Sequence, residues 1–335
     1  MTARIIVLGL FLVSSFFLLV NNRLTPTRAE ELSPRHVTGD ARVILLNGFY
    51  LWYCATGTET GKPPVIVLHD RPGSSARSYA QFFRYLENDH RVVYYDPRGS
   101  GNSEVKPALS HYTIAELVHE LDAVRRTIAG AERVILIGHG FGGALAQHYA
   151  VAHPEAVDRL ILLSPLPANG YRLKAVPSFF SELLDAVLKA GIPPSDPAEA
   201  NVWIQNYWQK TAAEQLRDPS KACLLPEPEG SFGTSRAFIT SLASETRNYH
   251  VIMRRLNVKT LIVYGGIETE YSREEHQIAI HGALKHSTLV KLEESGHWSF
   301  LEQPERVERL ITRFLSDAPQ AASISPDHTD PSRLQ

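Results

Sequence analysis

Polar side chains and glycines gather in four short stretches of the sequence, each at or shortly after a run of apolar or β-branched residues. The stretches are residues 69–73, 138–143, 265–268 and 296–298, which read HDRPG, GHGFGG, GGIE and GHW. Imidazole and carboxylate groups commonly transfer protons in enzymes. Open α/β sheets place their sites at the carboxyl ends of strands. The spacing therefore predicts a proton-transfer site assembled from several strand ends.

The elements that must position these stretches alternate along the chain. Eight short strands are predicted, at residues 43–46, 50–54, 65–68, 92–95, 134–137, 160–163, 261–264 and 288–292. Helical periodicity is present at residues 77–86, 114–128, 142–152, 273–284 and 305–315. The first two strands are expected to form an antiparallel pair that turns at Asn47 and Gly48. This alternation predicts an α/β fold, a mostly parallel eight-stranded sheet covered by helices.

One long segment interrupts the alternation. Residues 165–256 lie between two buried strands, carry helical patterns and contain Trp203, Tyr207 and Trp208. A segment of this length is too long for a structureless loop in a compact domain. We therefore expect an inserted helical cap at residues 165–256, with the core formed by residues 41–164 and 257–317.

The first 29 residues have the composition of an export signal. Residues 5–20 form an apolar run whose helical length, roughly 24 Å, is short of the ~30 Å hydrocarbon core of a bilayer. Thr27 and Ala29 are small residues suited to cleavage before Glu30. We expect a signal peptide or an N-terminal membrane anchor, and a periplasmic or extracellular location. Residues 30–40 are predicted to be a linker, and residues 318–335 a disordered tail.

Composition excludes several classes of function. The chain has 335 residues, 44% of them hydrophobic, and 34 basic against 36 acidic residues give a net charge of -2. Loss of the leader, which holds three arginines and no acidic residue, would change this charge to -5. Neither value favours binding to nucleic acid. Two cysteines, Cys54 and Cys223, allow at most one disulfide and no four-cysteine zinc site. We expect no cofactor and no metal, and a small molecule or short peptide as ligand.

The motifs together resemble a known superfamily. The stretch GHGFGG at residues 138–143 resembles the nucleophile elbow of α/β-hydrolases, a strained turn from strand to helix. The stretch DPRGSGNS at residues 96–103 is similar to a segment frequent in proline iminopeptidases, and the likeness extends over residues 43–315. The position that holds the Ser, Cys or Asp nucleophile in that superfamily is Gly140 here.

The resemblance implies a role for each remaining position. His297 would be the base and Glu268 the carboxylate that orients it, while the backbone N–H groups of Phe141 and Arg71 would stabilise an oxyanion. Substrates would be peptides, amides or esters. Because Gly140 offers no side chain, and because loss of the nucleophile costs on the order of a millionfold in rate, an acyl-enzyme is not expected.

Other assignments remain open at the sequence level. Glu270 competes with Glu268 for the acid role, and His297 could instead be a surface histidine. His139 is expected to be structural, with a nucleophilic role as the alternative. Asp70 would repel an oxyanion unless Arg71 pairs with it.

Four more polar residues and two serines have two interpretations each. Asp96 and Arg98 are expected to form a buried hydrogen-bonded corner instead of acting in catalysis. Glu214 and Glu245 could bind a substrate amine, although a solvated helix face is the plainer interpretation. Ser74 and Ser75 are the alternative serines should a nucleophile exist.

Three hypotheses of function follow. The first is a hydrolase-fold protein in which His297 and Glu268 still transfer protons without a covalent acyl intermediate. The second is a pseudoenzyme that binds a small molecule or peptide under the cap. The third, an interaction or structural protein, rests on the leader and tail alone.

Overall fold

A computed structural model describes residues 41–168, 199, 202, 213–225, 232–268 and 272–316. The predicted leader, linker and tail lie outside these residues, as does most of the predicted cap. Within the described ranges, no helix is both long enough and apolar enough to cross a bilayer.

Eight strands form one sheet. They are β1 (Ala41–Leu46), β2 (Phe49–Gly57), β3 (Val65–Leu68), β4 (Arg91–Tyr95), β5 (Val134–His139), β6 (Val157–Leu163), β7 (Lys259–Gly265) and β8 (Ser287–Leu292). Their order is β1-β2-β4-β3-β5-β6-β7-β8. The β1–β2 and β2–β4 pairs are antiparallel, and all other pairs are parallel. The predicted α/β class, the eight strands and the turn at Asn47 and Gly48 are confirmed.

The α-helices of the described residues are α1 (Ala80–Phe83), α2 (Ile114–Val124), α3 (Phe141–Ala152), α4 (Phe232–Ala243), α5 (Tyr249–Met253), α6 (Glu274–Ala283), α7 (Ser299–Glu302) and α8 (Pro304–Leu315). The single helix predicted at residues 77–86 is wrong, since α1 is flanked there by the 3₁₀ turns Ala76–Tyr79 and Arg84–Asn88. These broken turns let Tyr79, Phe82 and Phe83 all pack against Phe300. The helix predicted at residues 114–128 ends as a π-turn, Arg125–Ala129, before Gly130.

Both faces of the central strands are buried. Ile66 and Leu68 of β3 belong to one hydrophobic cluster, whereas Val65 and Val67 belong to the cluster on the opposite face. Successive side chains of a strand point to opposite faces, so a run of consecutive apolar residues is what a strand between two helical layers requires.

The order of the strands brings distant motifs together. In the parallel β3–β5 pair, Leu68 lies opposite Gly138. Two residues beyond this pair the chain reaches Asp70 after β3 and Gly140 after β5. Parallel strands end at the same edge of a sheet, so these two residues become neighbours despite the 70 positions between them.

Candidate active site

Gly140 forms the turn from β5 to helix α3. Its backbone has φ 49° and ψ -113°, a conformation that glycine adopts easily and that is strained for other residues. The turn is compact because a Cβ at Gly142 would overlap the backbone carbonyl of Leu68. Glycine at position 142 therefore lets the start of α3 approach the end of β3.

The carboxylate of Asp70 fills the space in front of Gly140. A Cβ built on Gly140 would overlap Oδ1 of Asp70. The N–H of Phe141, the first residue of α3, donates to this same oxygen over 2.8 Å. Asp70 Oδ2 faces His297 Nε2 at 3.3 Å. A side chain from the β3 loop thus lies where the elbow residue's own side chain would project.

His297 lies between two carboxylates. Its Nδ1 is 2.9 Å from Glu268 Oε2, opposite the contact of Nε2 with Asp70. Glu268 also accepts hydrogen bonds from Ser164 Oγ (2.5 Å), Ser272 Oγ (2.7 Å) and the N–H of Gly265 (2.7 Å). The structure therefore brings the predicted pair His297 and Glu268 together, and it adds Asp70 as a second acid.

The charges of His297 and Asp70 follow from their burial and contacts. Burial opposes protonation of His297, but the hydrogen bonds from its ring to Asp70 and Glu268 raise its pKa to about 9. Burial likewise opposes ionisation of Asp70, yet the hydrogen bond with His297 and the charges around it hold the pKa of that carboxyl well below its usual range. At neutral pH the site therefore holds an imidazolium paired with the Asp70 carboxylate.

His139 is fully buried and holds the neighbouring groups in place. Burial, followed by the charge of His297, lowers the pKa of His139 to about 3, so its ring is neutral. Its Nε2 is 3.1 Å from the carbonyl of His297, and its Nδ1 is 2.8 Å from the hydroxyl of Tyr79. A carbonyl only accepts, so Nε2 carries the proton and Nδ1 accepts from Tyr79. This arrangement agrees with a structural role for His139.

Tyr79 closes a ring of hydrogen bonds around the site. Its hydroxyl accepts the backbone N–H of Asp70 over 3.0 Å while donating to His139. The ring then runs through His139 to the carbonyl of His297, and through the imidazole of His297 back to the Asp70 carboxylate. Because each member is at least 90% buried, water does not compete for these bonds.

The 96–103 stretch fixes the loop that carries Asp70. Asp96 is fully buried, and its carboxylate accepts the N–H of Ala76 (2.7 Å) and the hydroxyl of Ser75 (3.2 Å). The hydroxyl of Ser100 accepts the N–H of Gly73 over 2.9 Å. The stretch therefore acts on the site by holding residues 73–76, the continuation of the loop that begins with Asp70.

Arg98 and its partners form a separate buried cluster. The backbone N–H and the Nε of Arg98 both donate to Glu120, at 3.1 Å and 2.8 Å, and its Nη1 pairs with Glu116 at 2.9 Å. Burial, opposed by the charge of Arg98, raises the pKa of Glu120 to about 6. None of these contacts reaches Asp70 or His297.

The structure answers one open question about Arg71 and corrects one expectation about Phe141. Asp70 pairs with His297, whereas the guanidinium of Arg71, the partner that the sequence left open for Asp70, donates to Gln215 Oε1 over 3.3 Å. The Phe141 N–H does point into the site, but it is already bonded to the protein's own carboxylate and not open to a substrate's oxyanion. The role predicted for the Arg71 N–H stays a prediction.

The remaining candidates lie away from this centre. Glu245 pairs with Arg247 at 2.6 Å, and Glu214 is exposed. The hydroxyl of Ser75 bonds Asp96. Glu270 lies outside the described residues.

Asp70, His139 and His297 could be considered as metal ligands. Each offers one ligand atom, and these atoms lie within 4.8 Å of one another. However, both ring nitrogens of His139 are bonded, one to Tyr79 and one to the carbonyl of His297. An ion would have to displace these bonds as well as the proton between His297 and Asp70, so the donor set fits a proton better than a metal.

Sequence reasoning missed four residues of the site: Ser164, Ser272, Tyr79 and Gln215. Ser164 directly follows β6 at the edge where the other motifs end, and its φ of 41° is unusual for a residue with a Cβ. Its position after a strand could have revealed it. Gln215 accepts the N–H of His297 through its carbonyl over 2.9 Å. Gln215, Ser272 and Tyr79 lie in irregular or 3₁₀ segments that carry no such signal.

Comparison with known proteins agrees with this geometry. A family model described as alpha/beta hydrolase fold matches residues 63–304. The chain therefore belongs to the α/β-hydrolase fold family. Its relatives place it on the proline iminopeptidase-like branch of that family. Proline iminopeptidase PfmaB of Pestalotiopsis fici is 36% identical over 299 residues, which cover 81% of this chain and 97% of the relative. Proline iminopeptidase of Lactobacillus helveticus is 36% identical over 288 residues, with 80% and 95% covered.

Solved structures show the same fold. An esterase from Exiguobacterium antarcticum superimposes with a TM-score of 0.66 at 19% identity, covering 83% of this chain and 99% of the esterase. An alpha/beta fold family hydrolase from Bacillus anthracis gives a TM-score of 0.65 at 17% identity, with 82% and 99% covered. At these identities the likeness concerns the fold alone.

Proposed function

We propose that this protein is an exported hydrolase that works without a serine acyl-enzyme, with His297 and Glu268 as its proton-transfer pair. The observation that supports the proposal is the position of Asp70, whose carboxylate lies between the Phe141 N–H and His297 in the space in front of Gly140. The site thus has no side chain at the elbow, and it holds a buried carboxylate, an acid–base group and an oriented N–H donor.

Burial of His297 and Glu268 costs desolvation free energy, which favours a functional role for this pair over a stabilising one. His297 and Glu268 are 2% and 5% exposed at their side chains, and Glu268 is held by three further donors. A buried ion pair is weak support for stability, since desolvation offsets most of its attraction. Groups with strongly shifted pKa values in such surroundings are typical of functional sites.

A pseudoenzyme is the second candidate. It is favoured by the same carboxylate, because Asp70 occupies the N–H donor that an acyl substrate would need. In that case the chain would bind a small molecule or short peptide without turnover.

The test compares variants of the full-length protein, purified in mild detergent, on para-nitrophenyl esters and on prolyl para-nitroanilide. We expect turnover of at least one substrate, unaffected by a fluorophosphonate probe and reduced by about 10²–10⁴-fold in His297→Ala. His286→Ala, at an exposed histidine outside the site, is the matched control and should keep full activity. Absence of turnover on every substrate would support the pseudoenzyme, and fluorophosphonate labelling of a serine would contradict the proposal.

A further inference from the structure

One described segment within the predicted cap contacts the loop that carries His297. This segment, residues 213–225, is called the strap below. The backbone carbonyl of Gln215 accepts the N–H of His297 over 2.9 Å. A Cβ at Gly296 would overlap the same carbonyl, so glycine at position 296 lets the strap approach this closely. The strap therefore bonds directly to the backbone of the acid–base histidine.

Glu302 holds the strap against this loop. The residue is buried, and its two carboxylate oxygens bond to different parts of the chain. Oε1 accepts the N–H of Asp218 over 2.8 Å, and Oε2 accepts the N–H of Gly296 over 2.5 Å. The carbonyl of Glu302 also accepts Nζ of Lys221 over 3.1 Å. Charged acceptors form the stronger hydrogen bonds of proteins, so this carboxylate keeps the strap and the loop in one arrangement.

The side chain of Gln215 reaches the loop after β3 as well. Its Oε1 accepts the guanidinium of Arg71 and the indole N–H of Trp298, each over 3.3 Å. Arg71 directly follows Asp70 in the sequence, and Trp298 directly follows His297. A single amide oxygen of the strap thus bonds to the neighbour of each member of the Asp70–His297 ion pair.

Asp70 has two cations close to it. The imidazole of His297 lies 3.3 Å from its Oδ2. Burial raises the pKa of Asp70, and the hydrogen bond with His297 and the nearby charges, that of Arg71 among them, lower this pKa well below its usual range. A guanidinium is always charged and can bind a carboxylate through two parallel N–H donors. Arg71 is therefore a strong competitor of His297 for this carboxylate.

The two pairings would give the site different charges. With Asp70 facing His297, the carboxylate favours a proton on the imidazole. With Asp70 facing Arg71, the carboxylate would be neutralised by the guanidinium, and a second cation nearby would disfavour the proton on His297. The direction in which Arg71 points thus decides which form of the histidine is present.

We propose that Gln215 is a positioning residue, which holds the His297 backbone through its carbonyl and turns the Arg71 guanidinium away from Asp70 through its amide oxygen. His297 is then the cation that pairs with Asp70. The use of this pairing in proton transfer rests on the proposed function, whereas the pairing itself can be measured without turnover. Displacement of the strap would end both contacts together, so the strap links the charge of the site to a part of the chain outside the sheet.

NMR titration of the His297 ring in the full-length protein, purified in mild detergent, tests the proposal. Gln215→Ala removes the amide oxygen and keeps the backbone carbonyl, so we expect roughly tenfold weaker proton binding at His297. Gln215→Glu keeps an oxygen that can accept from Arg71, and should bind the proton at least as tightly as the wild type. Leu224→Ala, at an exposed apolar residue of the strap, is the matched control and should leave the titration unchanged.

A double-variant cycle separates positioning from a structural role. If Gln215 acts by holding Arg71, then Gln215→Ala should have no effect on the His297 titration in an Arg71→Ala background. A merely structural glutamine would lower the free energy of unfolding without moving the titration, or would weaken proton binding equally in both backgrounds. Either of these results would overturn the inference.

Failure of this inference and failure of the proposed function give different results. An unchanged titration in Gln215→Ala, together with turnover that depends on His297, would overturn the positioning role and leave the hydrolase. The expected titration in all variants, with no turnover of aryl esters or prolyl para-nitroanilide, would support the positioning role and overturn the proposed function. Where turnover is found, its pH profile should move with the His297 titration in Gln215→Ala.

Discussion

Asp70 and Gly140 compete for one space: the carboxylate of Asp70 lies where any side chain on Gly140 would begin. The relationship follows from the register of β3 and β5, in which Leu68 lies opposite Gly138, so that Asp70 and Gly140 each come two residues after this pair. A residue with a Cβ at position 140 and an aspartate at position 70 in this conformation exclude each other. The residue types tolerated at positions 70 and 140 are therefore coupled by this contact.

Placing a serine at position 140 requires a change at position 70 as well. Gly140→Ser alone should lower the free energy of unfolding by about 2–5 kcal/mol, because it adds overlap with Asp70 to the strain of φ 49°. It should also fail to label with a fluorophosphonate. The double variant Asp70→Gly with Gly140→Ser frees the space and the Phe141 N–H, so we expect labelling and aryl-ester hydrolysis.

The measurements are guanidinium unfolding and labelling by the fluorophosphonate. Asp70→Gly alone is the control, and it should not label. Labelling of Gly140→Ser to the same extent as the double variant would show that Asp70 moves aside easily and does not block the elbow.

The charge of His297 makes stability depend on pH. Its pKa is about 9 in the folded chain, against 6.5 for an ordinary histidine, so the folded state holds an extra proton between these values. The resulting stabilisation is complete below about pH 6.5 and is lost as the pH rises through about 9, roughly 3 kcal/mol in all. Asp70→Asn removes one of the two carboxylates and should bring the pKa of His297 down.

Unfolding free energies measured across this pH window test the effect. We expect a shallower fall for Asp70→Asn than for the wild type, since Asp70 itself is ionised throughout the window in both states. Titration of the His297 ring by NMR gives the pKa directly. Parallel pH profiles for the two proteins would contradict the assigned pairing.

The fold could be predicted from the sequence because both faces of the central strands are buried. Consecutive apolar residues at Val65 to Leu68 and at Val134 to Ile137 leave no polar face, and this pattern identifies strands between two helical layers. The boundaries of the helices could be predicted less well. The helix predicted at residues 77–86 is divided into turns by the packing of Tyr79, Phe82 and Phe83 around Phe300, a tertiary contact.

The residues of the site could be predicted only in part from the sequence. The resemblance to α/β-hydrolases indicated His297 and Glu268, whose positions after strands match the family's pattern, and the structure brings them within 2.9 Å of each other. The role of Asp70 could not be predicted, since it depends on β3 lying beside β5 and on the resulting register. For the same reason the sequence left open whether the adjacent Arg71 pairs with Asp70, whereas the fold supplies His297 from 227 positions away.

The predicted leader can be tested independently of the chemistry. Expression of the full chain in a bacterial host should place the protein in the periplasm or in the membrane fraction, and cleavage before Glu30 would leave that residue at the N-terminus. Ala29→Arg, which removes the small residue before the cleavage point, should retain the leader. Fractionation and N-terminal sequencing measure both effects. Cytoplasmic protein with Met1 intact would contradict export.

The Arg98 cluster predicts unequal costs for two similar substitutions. Glu120 is fully buried and accepts two bonds from Arg98, whereas the side chain of Glu116 is 44% exposed and accepts one. Glu120→Gln weakens the pairing of a buried charge and should cost about 3 kcal/mol in unfolding free energy. Glu116→Gln, the matched control, should cost less than about 1 kcal/mol. Equal losses by guanidinium unfolding would show that Glu120 does not neutralise Arg98.

Tyr79 offers the sharpest test of the hydrogen-bonded ring around the site, because the chain contains a matched tyrosine. Tyr79→Phe leaves the N–H of Asp70 and the Nδ1 of His139 buried without the hydroxyl, and should cost about 2–4 kcal/mol in unfolding free energy. Tyr95 is equally buried, but its hydroxyl has no hydrogen-bond partner in the described part of the chain. Tyr95→Phe should therefore be neutral or slightly stabilising. Guanidinium unfolding of both variants measures the difference, and similar costs would mean that the Tyr79 hydroxyl contributes only packing.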